Sequence, residues 1–315
     1  MKKALSVAAL MFALTGSALA ADLPSYKAPP PPPLPPPPLW SGFYVGLNAG
    51  GTWGGSNNIW TSSAPIYSLS GFAPTSLYAA YSALGASGVS QGNTSGFIGG
   101  GQIGYNWQFW GGRLVAGVEA DIQGVASSNS NTTSVTAAGA FPFFGAPSEI
   151  ITTAITTSKR LDYIGTVRGR LGWLFTPTLL VYGTGGLAYG GVSVSTGIAQ
   201  FNNDCAQIPA ACLAGAAFSS GAFSDTRVGW TAGAGLEWMF MPNWSAKVEY
   251  LYYDLGNVAY SAGLLTTLNS TITAFPAGSI AGVVSQSQTR FNGNIVRAGV
   301  NYHFNWGAAP IVAKY

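Results

Sequence analysis

The stretch LDYIGTVRGRLGW, residues 161–173, decides the fold of this chain. Its residues alternate between an apolar or aromatic set and a polar or charged set. The apolar set is Leu161, Tyr163, Val167, Leu171 and Trp173, and the polar set is Asp162, Thr166, Arg168 and Arg170. A period of two residues is that of a β-strand whose faces meet different environments. We therefore expect one face of this strand to meet water or ion partners and the other to meet an apolar phase.

The same alternation recurs about eight times after Ser41. The strand candidates are residues 42–53, 96–109, 113–123, 159–174, 178–193, 226–240, 244–254 and 293–306. The fifth is rich in glycine, and its facing is ambiguous. A closed barrel is one of the two folds that satisfy every backbone group inside a bilayer. The repetition predicts an all-β fold, a transmembrane up-and-down antiparallel β-barrel of eight strands.

The connections between these candidates alternate in length. Short turns lie at residues 110–112, 175–177 and 241–243, and long connections at 54–95, 124–158, 194–225 and 255–292. Bacterial outer-membrane barrels have short periplasmic turns and longer extracellular loops. We therefore predict four extracellular loops and both termini in the periplasm.

Composition and the N-terminus point to the same compartment. Charged residues make up 7% of the chain, against about 25% in soluble domains. Residues 1–20 have a basic start, an apolar middle and an A-x-A end, which together predict a secretory signal peptide. The alternative is a buried N-terminal helix. Its removal takes away Lys2 and Lys3 and lowers the formal charge from +3 to +1, which argues against a nucleic-acid binder. The chain is predicted to reach the outer membrane of a Gram-negative cell.

Outside the barrel the sequence predicts three further segments. They are the signal peptide (1–20), a proline-rich periplasmic segment (21–41) and a periplasmic tail (307–315), with the barrel at 42–306. Pro29–Pro38 favours an extended polyproline II spacer. This run either contacts peptidoglycan or periplasmic proteins, or serves only as a spacer.

Twelve charged residues share the predicted inward face. They are Arg113, Glu119, Asp121, Arg160, Asp162, Arg168, Arg170, Arg227, Glu237, Lys247, Glu249 and Arg297. The interior of an eight-stranded barrel is filled by side chains, and buried charges need partners. We expect an interlocked ion-pair network. The alternative is a charge-lined pore whose surplus of basic residues gives a mild preference for anions.

Tryptophan and cysteine provide two further predictions. An aromatic girdle at the periplasmic interface is expected from Trp107, Trp110, Trp173, Trp238, Trp244 and Trp306, and Trp40 also falls at that end. Cys205 and Cys212 lie in one connection and are candidates for a disulfide in an oxidising compartment, with two free thiols as the alternative.

No catalytic, metal or cofactor site is predicted. The chain has one histidine, His303, which is expected to face inward near the periplasmic end. A hydrolase of the common kind needs a histidine base beside its nucleophile on the substrate side. Gly183–Ala188 matches a dinucleotide-binding pattern, but it lies inside a strand rather than at the start of a helix. The chain is therefore interpreted as a non-enzyme.

Several motifs resemble one family. Trp40–Gly46, Arg168–Gly172, Val181–Gly186, Lys247–Asp254 and Arg297–Tyr302 resemble the major outer-membrane proteins of alphaproteobacteria, an opacity-type, porin-like family with an OmpA-like barrel. The resemblance covers most of residues 40–306. It implies an outer-membrane location and a structural or surface-antigen role, with porin activity often named.

These observations lead to one expected function and two alternatives. The expected function is envelope integrity and the presentation of surface loops. The alternatives are a small-solute channel and a loop-mediated adhesin or ligand binder. The expected partners are outer-membrane lipid, lipopolysaccharide and, during insertion, the barrel-assembly machinery, with either Phe304 or Tyr315 as the terminal aromatic signal.

Overall fold

The computed structural model describes residues 39–67, 73–127, 130–139, 149–202, 217–266 and 281–304. The predicted signal peptide, proline segment, C-terminal tail, Trp306 and the two cysteines lie outside these ranges. The described elements are β1 (Gly42–Gly54), β2 (Asn58–Tyr67), α1 (Ala73–Gly85), β3 (Gly88–Gln91), β4 (Gly96–Phe109), β5 (Leu114–Ser127), β6 (Ser130–Gly139), β7 (Glu149–Thr176), β8 (Leu179–Asn202), β9 (Ala217–Met241), β10 (Trp244–Ser261), β11 (Leu265–Thr266) and β12 (Ala281–Phe304).

Eight of these strands close into a ring. Its order is β1-β4-β5-β7-β8-β9-β10-β12, and β12 pairs back with β1 from Phe43↔Phe304 to Gly54↔Gly293. Neighbouring strands in the ring are antiparallel, and closure leaves the ring without a free edge. The predicted fold class is confirmed. Among the described residues, no helix has the length and hydropathy needed to cross a membrane.

The two ends of the barrel differ, and we name them by their connections. The turn end carries the short turns at residues 110–113, 177–178 and 242–243, and the loop end is the opposite one. At the turn end most strand bounds lie within two residues of the prediction. At the loop end β7 begins at Glu149 rather than 159, and β12 at Ala281 rather than 293. The long connections are therefore partly strand, and they also contain α1.

A β-bulge at Asp162 changes the facing of β7. The pairing of β7 with β8 shifts register between Leu161 and Tyr163. One extra residue moves every side chain beyond it to the opposite face. Leu161 is therefore buried inside the barrel rather than facing outward as predicted, and Arg160 and Asp162 are exposed.

The outer surface of the ring is apolar over a band between two sets of aromatic residues. Leu47, Ile103, Val118, Val167 and Leu236 are exposed there. Trp53, Phe97 and Trp230 form the aromatic set nearer the loop end. Such a band, about 25 Å tall and flanked by aromatic girdles, matches the hydrocarbon core of an outer membrane.

We expect Val167→Arg to lower the free energy of unfolding in lipid vesicles by about 2–4 kcal/mol, because the new charge would face hydrocarbon. Val167 is 52% exposed on the outer face of β7. Urea titrations followed by tryptophan fluorescence provide the measurement. Thr156→Arg is the matched control, because Thr156 is exposed on the same strand beyond the bulge. Equal losses for both variants would contradict the assigned position of the apolar band.

Gly99, Gly100 and Gly101 in β4 show how tightly the strands approach one another inside the ring. A Cβ atom on Gly100 would lie 2.0 Å from the carbonyl oxygen of Ile122 and 2.7 Å from the Cα of Gln123. A Cβ on the neighbouring Gly101 would meet nothing closer than 3.7 Å. Only the inward glycine is therefore required by the close approach of backbones.

Candidate functional site: the barrel lumen

Eight of the twelve predicted inward charges come together in one buried layer, which we call the ionic layer. It consists of Glu119, Asp121, Arg168, Arg170, Glu237, Lys247, Glu249 and Arg297. The register aligns these residues, since Glu119 faces Arg168, Lys247 faces Glu237, and Glu249 faces Arg297 across neighbouring strands. The ionic layer therefore fills the turn-end half of the lumen.

Arg168 and Arg297 bind the same carboxylates from different sides. Arg168 reaches Glu119 at 2.5 Å, Asp121 at 3.0 Å and Glu249 at 2.9 Å, and its Nε donates to Thr166 Oγ1 at 2.8 Å. Arg297 reaches Asp121 at 2.8 Å and Glu249 at 2.5 Å. The planar fork of arginine allows each guanidinium to serve several acceptors.

Lys247, Arg170 and Glu237 extend the layer toward the turn end. Lys247 Nζ donates to both oxygens of Glu119 at 2.9 and 3.0 Å. Arg170 pairs with Glu237 at 2.8 Å and lies over the rings of Tyr44 and Tyr182. Neutral side chains donate further hydrogen bonds to the carboxylates. Tyr44 Oη donates to Glu119, and Asn301 Nδ2 donates to Glu237. Buried charges are tolerated in such a layer because each has partners.

The ionic layer contains four acidic and four basic residues. The surplus of two basic inward residues that the sequence suggested is absent from it. That surplus was the reason to expect a preference for anions in a pore. The electrostatic argument for such selectivity therefore fails.

Four predicted members lie elsewhere, which corrects the prediction. Arg160 pairs with Asp162 at 2.8 Å on the outside, because the bulge reverses the facing of this part of β7. Arg113 is exposed in the turn before β5, because pairing begins only at Leu114. Arg227 lies nearer the loop end and donates to the backbone oxygen of Asn257 at 3.1 Å.

Trp40 lies buried inside the turn end of the lumen, a position that its sequence context did not predict. The sequence placed it with the interfacial tryptophans, but it is fully buried among Val115, Leu174, Leu180, Tyr182 and Met239. Its Nε1 donates to the carbonyl oxygen of Pro177 at 2.9 Å, and its ring lies edge-on to His303. The segment before β1 therefore turns inward and caps the ionic layer.

An apolar layer lies on the loop side of the ionic layer. Ile164, Leu251 and Ile295 occupy the inward positions next to Thr166, Glu249 and Arg297. Farther members are Ile59, Ile98, Leu161, Ala188, Val192, Val194, Tyr253, Leu255, Val258, Tyr260 and Phe291. The alternation predicted a wet and ionic lining, but directly on the loop side of the ionic layer the lumen is filled by a hydrophobic cluster.

Helix α1 covers the loop end of the lumen. Ala83, in its last turn, and Ala86, just after it, pack with Ile198, Leu265 and Val283. Ser82 Oγ donates to Gln200 Oε1 at 2.5 Å, and Gln200 Nε2 donates back to the Ser82 carbonyl oxygen at 2.7 Å. The helix is therefore fixed to the inner side of β8. The sequence pattern predicts no helix in this connection.

Lys159 is a buried cation above the ionic layer and outside the apolar band. Its Nζ donates to the carbonyl oxygens of Ser56 at 2.8 Å and Arg290 at 2.7 Å, and it lies 4.8 Å from the ring centre of Phe291. Burial lowers the pKa of Lys159 to about 8, because removal from water disfavours the charged ammonium group. Lys159 therefore ties β7 to β12 and to the connection after β1.

Ser245, His303 and Glu237 form a cluster of the residue types that hydrolases use. Ser245 Oγ lies 2.5 Å from Glu237 and 2.9 Å from His303 Nε2, and the same Nε2 lies 3.5 Å from Glu237. In a catalytic triad the acid binds the other ring nitrogen and orients the base. All three side chains here are buried beneath Trp40. This cluster is not arranged for nucleophilic attack on a substrate.

No metal site is apparent within the described ranges, where no group of three or more His, Cys, Asp or Glu side chains could hold an ion.

Five of the predicted girdle residues are exposed at the turn end: Trp107, Trp110, Trp173, Trp238 and Trp244. Trp244 packs edge-on against Tyr302 at 5.1 Å. Their position suits the membrane interface.

Solved structures to which this chain is similar include OprG of Pseudomonas aeruginosa and Neisserial surface protein A. OprG shares 9% identity over 84% of this chain and 97% of its own, with a TM-score of 0.34. Neisserial surface protein A shares 14% identity over 84% and 98%, with a TM-score of 0.28. Such loose similarity supports no statement about function.

Sequence relatives are closer. The 31 kDa outer-membrane immunogenic protein of Brucella melitensis biotype 1 is 34% identical over 298 residues, which are 94% of this chain and 96% of that protein. The 22 kDa outer membrane protein of Rhizobium leguminosarum bv. viciae is 31% identical over 180 residues, 54% of this chain and 62% of that protein. The family model described as "Outer membrane protein beta-barrel domain" matches residues 6–304. With its closed eight-stranded ring, this chain belongs to that family of outer-membrane β-barrel proteins.

Proposed function

We propose that this protein is a closed, non-conducting and non-catalytic barrel that anchors a rigid platform on the cell surface and contributes to envelope integrity. The observation that carries the proposal is the filling of the lumen at four successive levels. These are the Trp40 cap, the ionic layer, the apolar layer and α1. Eight strands leave an interior just wide enough for side chains.

The platform consists of the strand extensions at the loop end. β7 and β8 stay paired from the turn end to Ile151↔Asn202, 12 residues beyond the outward-facing Tyr163. At about 3.3 Å per residue and a tilt near 40°, the sheet rises roughly 30 Å above the bilayer. Backbone pairing makes this region stiffer than a free loop. The Brucella relative is named as an immunogen, which supports the proposal that the platform faces the outside.

We further propose that the turn end faces the periplasm. The short turns and the exposed tryptophans support this orientation, because bacterial barrels have short periplasmic turns and an interfacial girdle. The extensions of β7, β8, β9 and β12 then lie outside the cell, together with α1.

Single-channel recording in planar bilayers tests the proposal. We expect the refolded mature chain to give no steady conductance, because buried side chains of the ionic and apolar layers occupy the lumen. A general-diffusion porin reconstituted in the same lipid is the positive control. Heat-modifiable gel mobility shows that the silent protein is folded. Ohmic steps from the folded chain would overturn the closed-barrel proposal in favour of a small-solute channel.

A further inference from the structure

A notch opens on the outer side of the barrel where β12 changes partners. β1 pairs with β12 as far as Gly54↔Gly293, and β2 takes over at Ile59↔Thr289. Residues 290–292 therefore have neither strand beside them on that side. The resulting cavity, which we call the strand-switch notch, has a volume of about 560 Å³ and is lined by Asn57, Asn58, Trp60, Asn257, Gln288 and Arg290, among others. Ligand sites commonly fall in the range of about 300–1,000 Å³.

The notch lies just above the apolar band and opens sideways. Trp53, in the loop-end aromatic set, faces Asn294, and Arg290 lies four residues farther along β12. This spacing places the notch about 10 Å above the aromatic set. Trp60 and Gln288 are neighbours across β2 and β12, and both side chains are exposed. The notch therefore faces the lipid headgroups that surround the barrel rather than the lumen.

The floor of the notch is held in place from behind. Lys159, on the lumen side, binds the carbonyl oxygens of Ser56 and Arg290. The N–H of Gly55 donates to the Asn292 carbonyl oxygen at 2.9 Å, and Thr289 Oγ1 donates to the Asn58 carbonyl oxygen at 2.9 Å. A site with a fixed backbone binds a ligand without a large ordering cost.

The lining favours an uncharged, hydroxyl-rich ligand. Asn57, Asn58, Asn257 and Gln288 make no side-chain hydrogen bond to another residue that the structure describes, and each amide offers both donors and an acceptor. Hydroxyl groups also donate and accept, so amides suit them. Arg290 is paired with Asp254, which compensates its charge.

Trp60 provides a platform for the flat face of a ring. Its side chain is 59% exposed although it is large and apolar. An indole buries much apolar area while its N–H remains available for a polar partner. A pyranose ring has an apolar face and a rim of hydroxyl groups, and so matches a tryptophan surrounded by amides.

We propose that the strand-switch notch binds a pyranose sugar in the headgroup of an outer-leaflet glycolipid. The sideways opening and the height above the apolar band identify the membrane glycolipid, rather than a free sugar, as the source. The assignment to the outer leaflet rests on the proposed orientation, in which the loop end faces outside. It does not depend on whether the lumen conducts, because the site lies outside the lumen.

Hydroxyl-radical footprinting of the refolded mature chain in nanodiscs tests this proposal. We expect oxidation of Trp60 to fall at least threefold in discs that contain rough lipopolysaccharide, compared with discs of phospholipid alone. Trp110, exposed at the turn end, is the internal control and should not change. Equal oxidation of Trp60 in both discs would overturn the proposal.

Two soluble probes test separately whether the ligand is a sugar and whether it belongs to a membrane glycolipid. Deacylated core oligosaccharide added to phospholipid discs should protect Trp60, whereas inorganic phosphate at the same concentration should not. Protection by phosphate would overturn the sugar assignment. Protection by free oligosaccharide, but not by lipopolysaccharide in the disc, would overturn the glycolipid assignment.

Gln288→Ala and Gln286→Ala form a matched pair of variants. Both residues are exposed on the same face of β12, but only Gln288 lines the notch. Gln288→Ala should raise the oligosaccharide concentration needed for half-protection of Trp60 about tenfold, a cost of about 1.4 kcal/mol. Gln286→Ala should leave it unchanged. Equal behaviour of the two variants would contradict the assignment of the notch.

Discussion

Replacing Arg168 with methionine is expected to lower the free energy of unfolding by about 3–5 kcal/mol. Arg168 contacts Glu119, Asp121 and Glu249 in the ionic layer. Methionine fills similar space but compensates none of these carboxylates. The loss is large because three buried anions are then left with fewer cations, rather than because one attractive pair is removed. Urea titration of the barrel refolded in lipid vesicles measures it.

Arg160→Met is the matched control for this experiment. Arg160 lies on the same strand, but its side chain is 55% exposed and its pairing with Asp162 is at the surface. Exposed ion pairs contribute roughly 0–1 kcal/mol, so this variant should unfold close to the parent protein. Similar losses for Arg160→Met and Arg168→Met would show that the ionic layer is not a buried network.

Gly100→Val is expected to lower the free energy of unfolding by about 4 kcal/mol or more. Losses of this size are exceptional for a single substitution, and overpacking is one of their causes. The new Cβ would overlap the carbonyl oxygen of Ile122 and the backbone of Gln123. These are backbone atoms of the neighbouring strand, so no rotation of a side chain can relieve the overlap. The refolded fraction and the urea midpoint are the measurements.

Gly101→Val is the control, and Gly100→Ala adds a smaller side chain at the critical position. Gly101 faces outward with ordinary contact distances, and valine suits a lipid-facing strand position, so little loss is expected. Gly100→Ala should be intermediate and keep the comparison measurable if the valine variant does not refold. Stability of Gly100→Val equal to that of Gly101→Val would mean that the strands are farther apart than described.

The sequence was most informative where the strands meet the apolar band. Val167, Ile103 and Leu236 alternate with inward polar residues, and their facing follows directly from the period of two. Register at the turn end was predictable because the turns are short. Farther out, small and polar residues occur on both faces of β7 and β8, and on the inner face they are mixed with apolar residues such as Ile155 and Ile198. The alternation therefore disappears, although pairing continues to Ile151↔Asn202.

The errors within the candidate site have two physical causes. A bulge adds one residue without a sequence signal that can be recognised in a single chain, so Arg160 and Asp162 were assigned to the wrong face. Alternation reports the facing of a residue but not its height along the barrel. The alternation therefore did not predict that the inward Leu251 and Ile295 belong to an apolar layer on the loop side of the ionic layer.

Trp40 and α1 could not be placed from periodicity, because both lie outside the eight strands that close the ring. Tryptophan at a strand end usually indicates an interface. The inward turn of Trp40 depends on a tertiary hydrogen bond to Pro177, which is 137 residues away in the sequence. The docking of α1 depends similarly on Gln200 in β8.

In the proposed orientation, the sheet that extends beyond the apolar band at the loop end determines which surface an antibody can recognise. Phe201 of β8 and Phe218 of β9 pack edge-on at 6.4 Å, although 16 positions separate them along the chain. An epitope on this flank is assembled from neighbouring strands in fixed register. A linear synthetic peptide would present only one strand of that surface. Immunisation with the folded barrel should therefore elicit antibodies that such peptides fail to absorb.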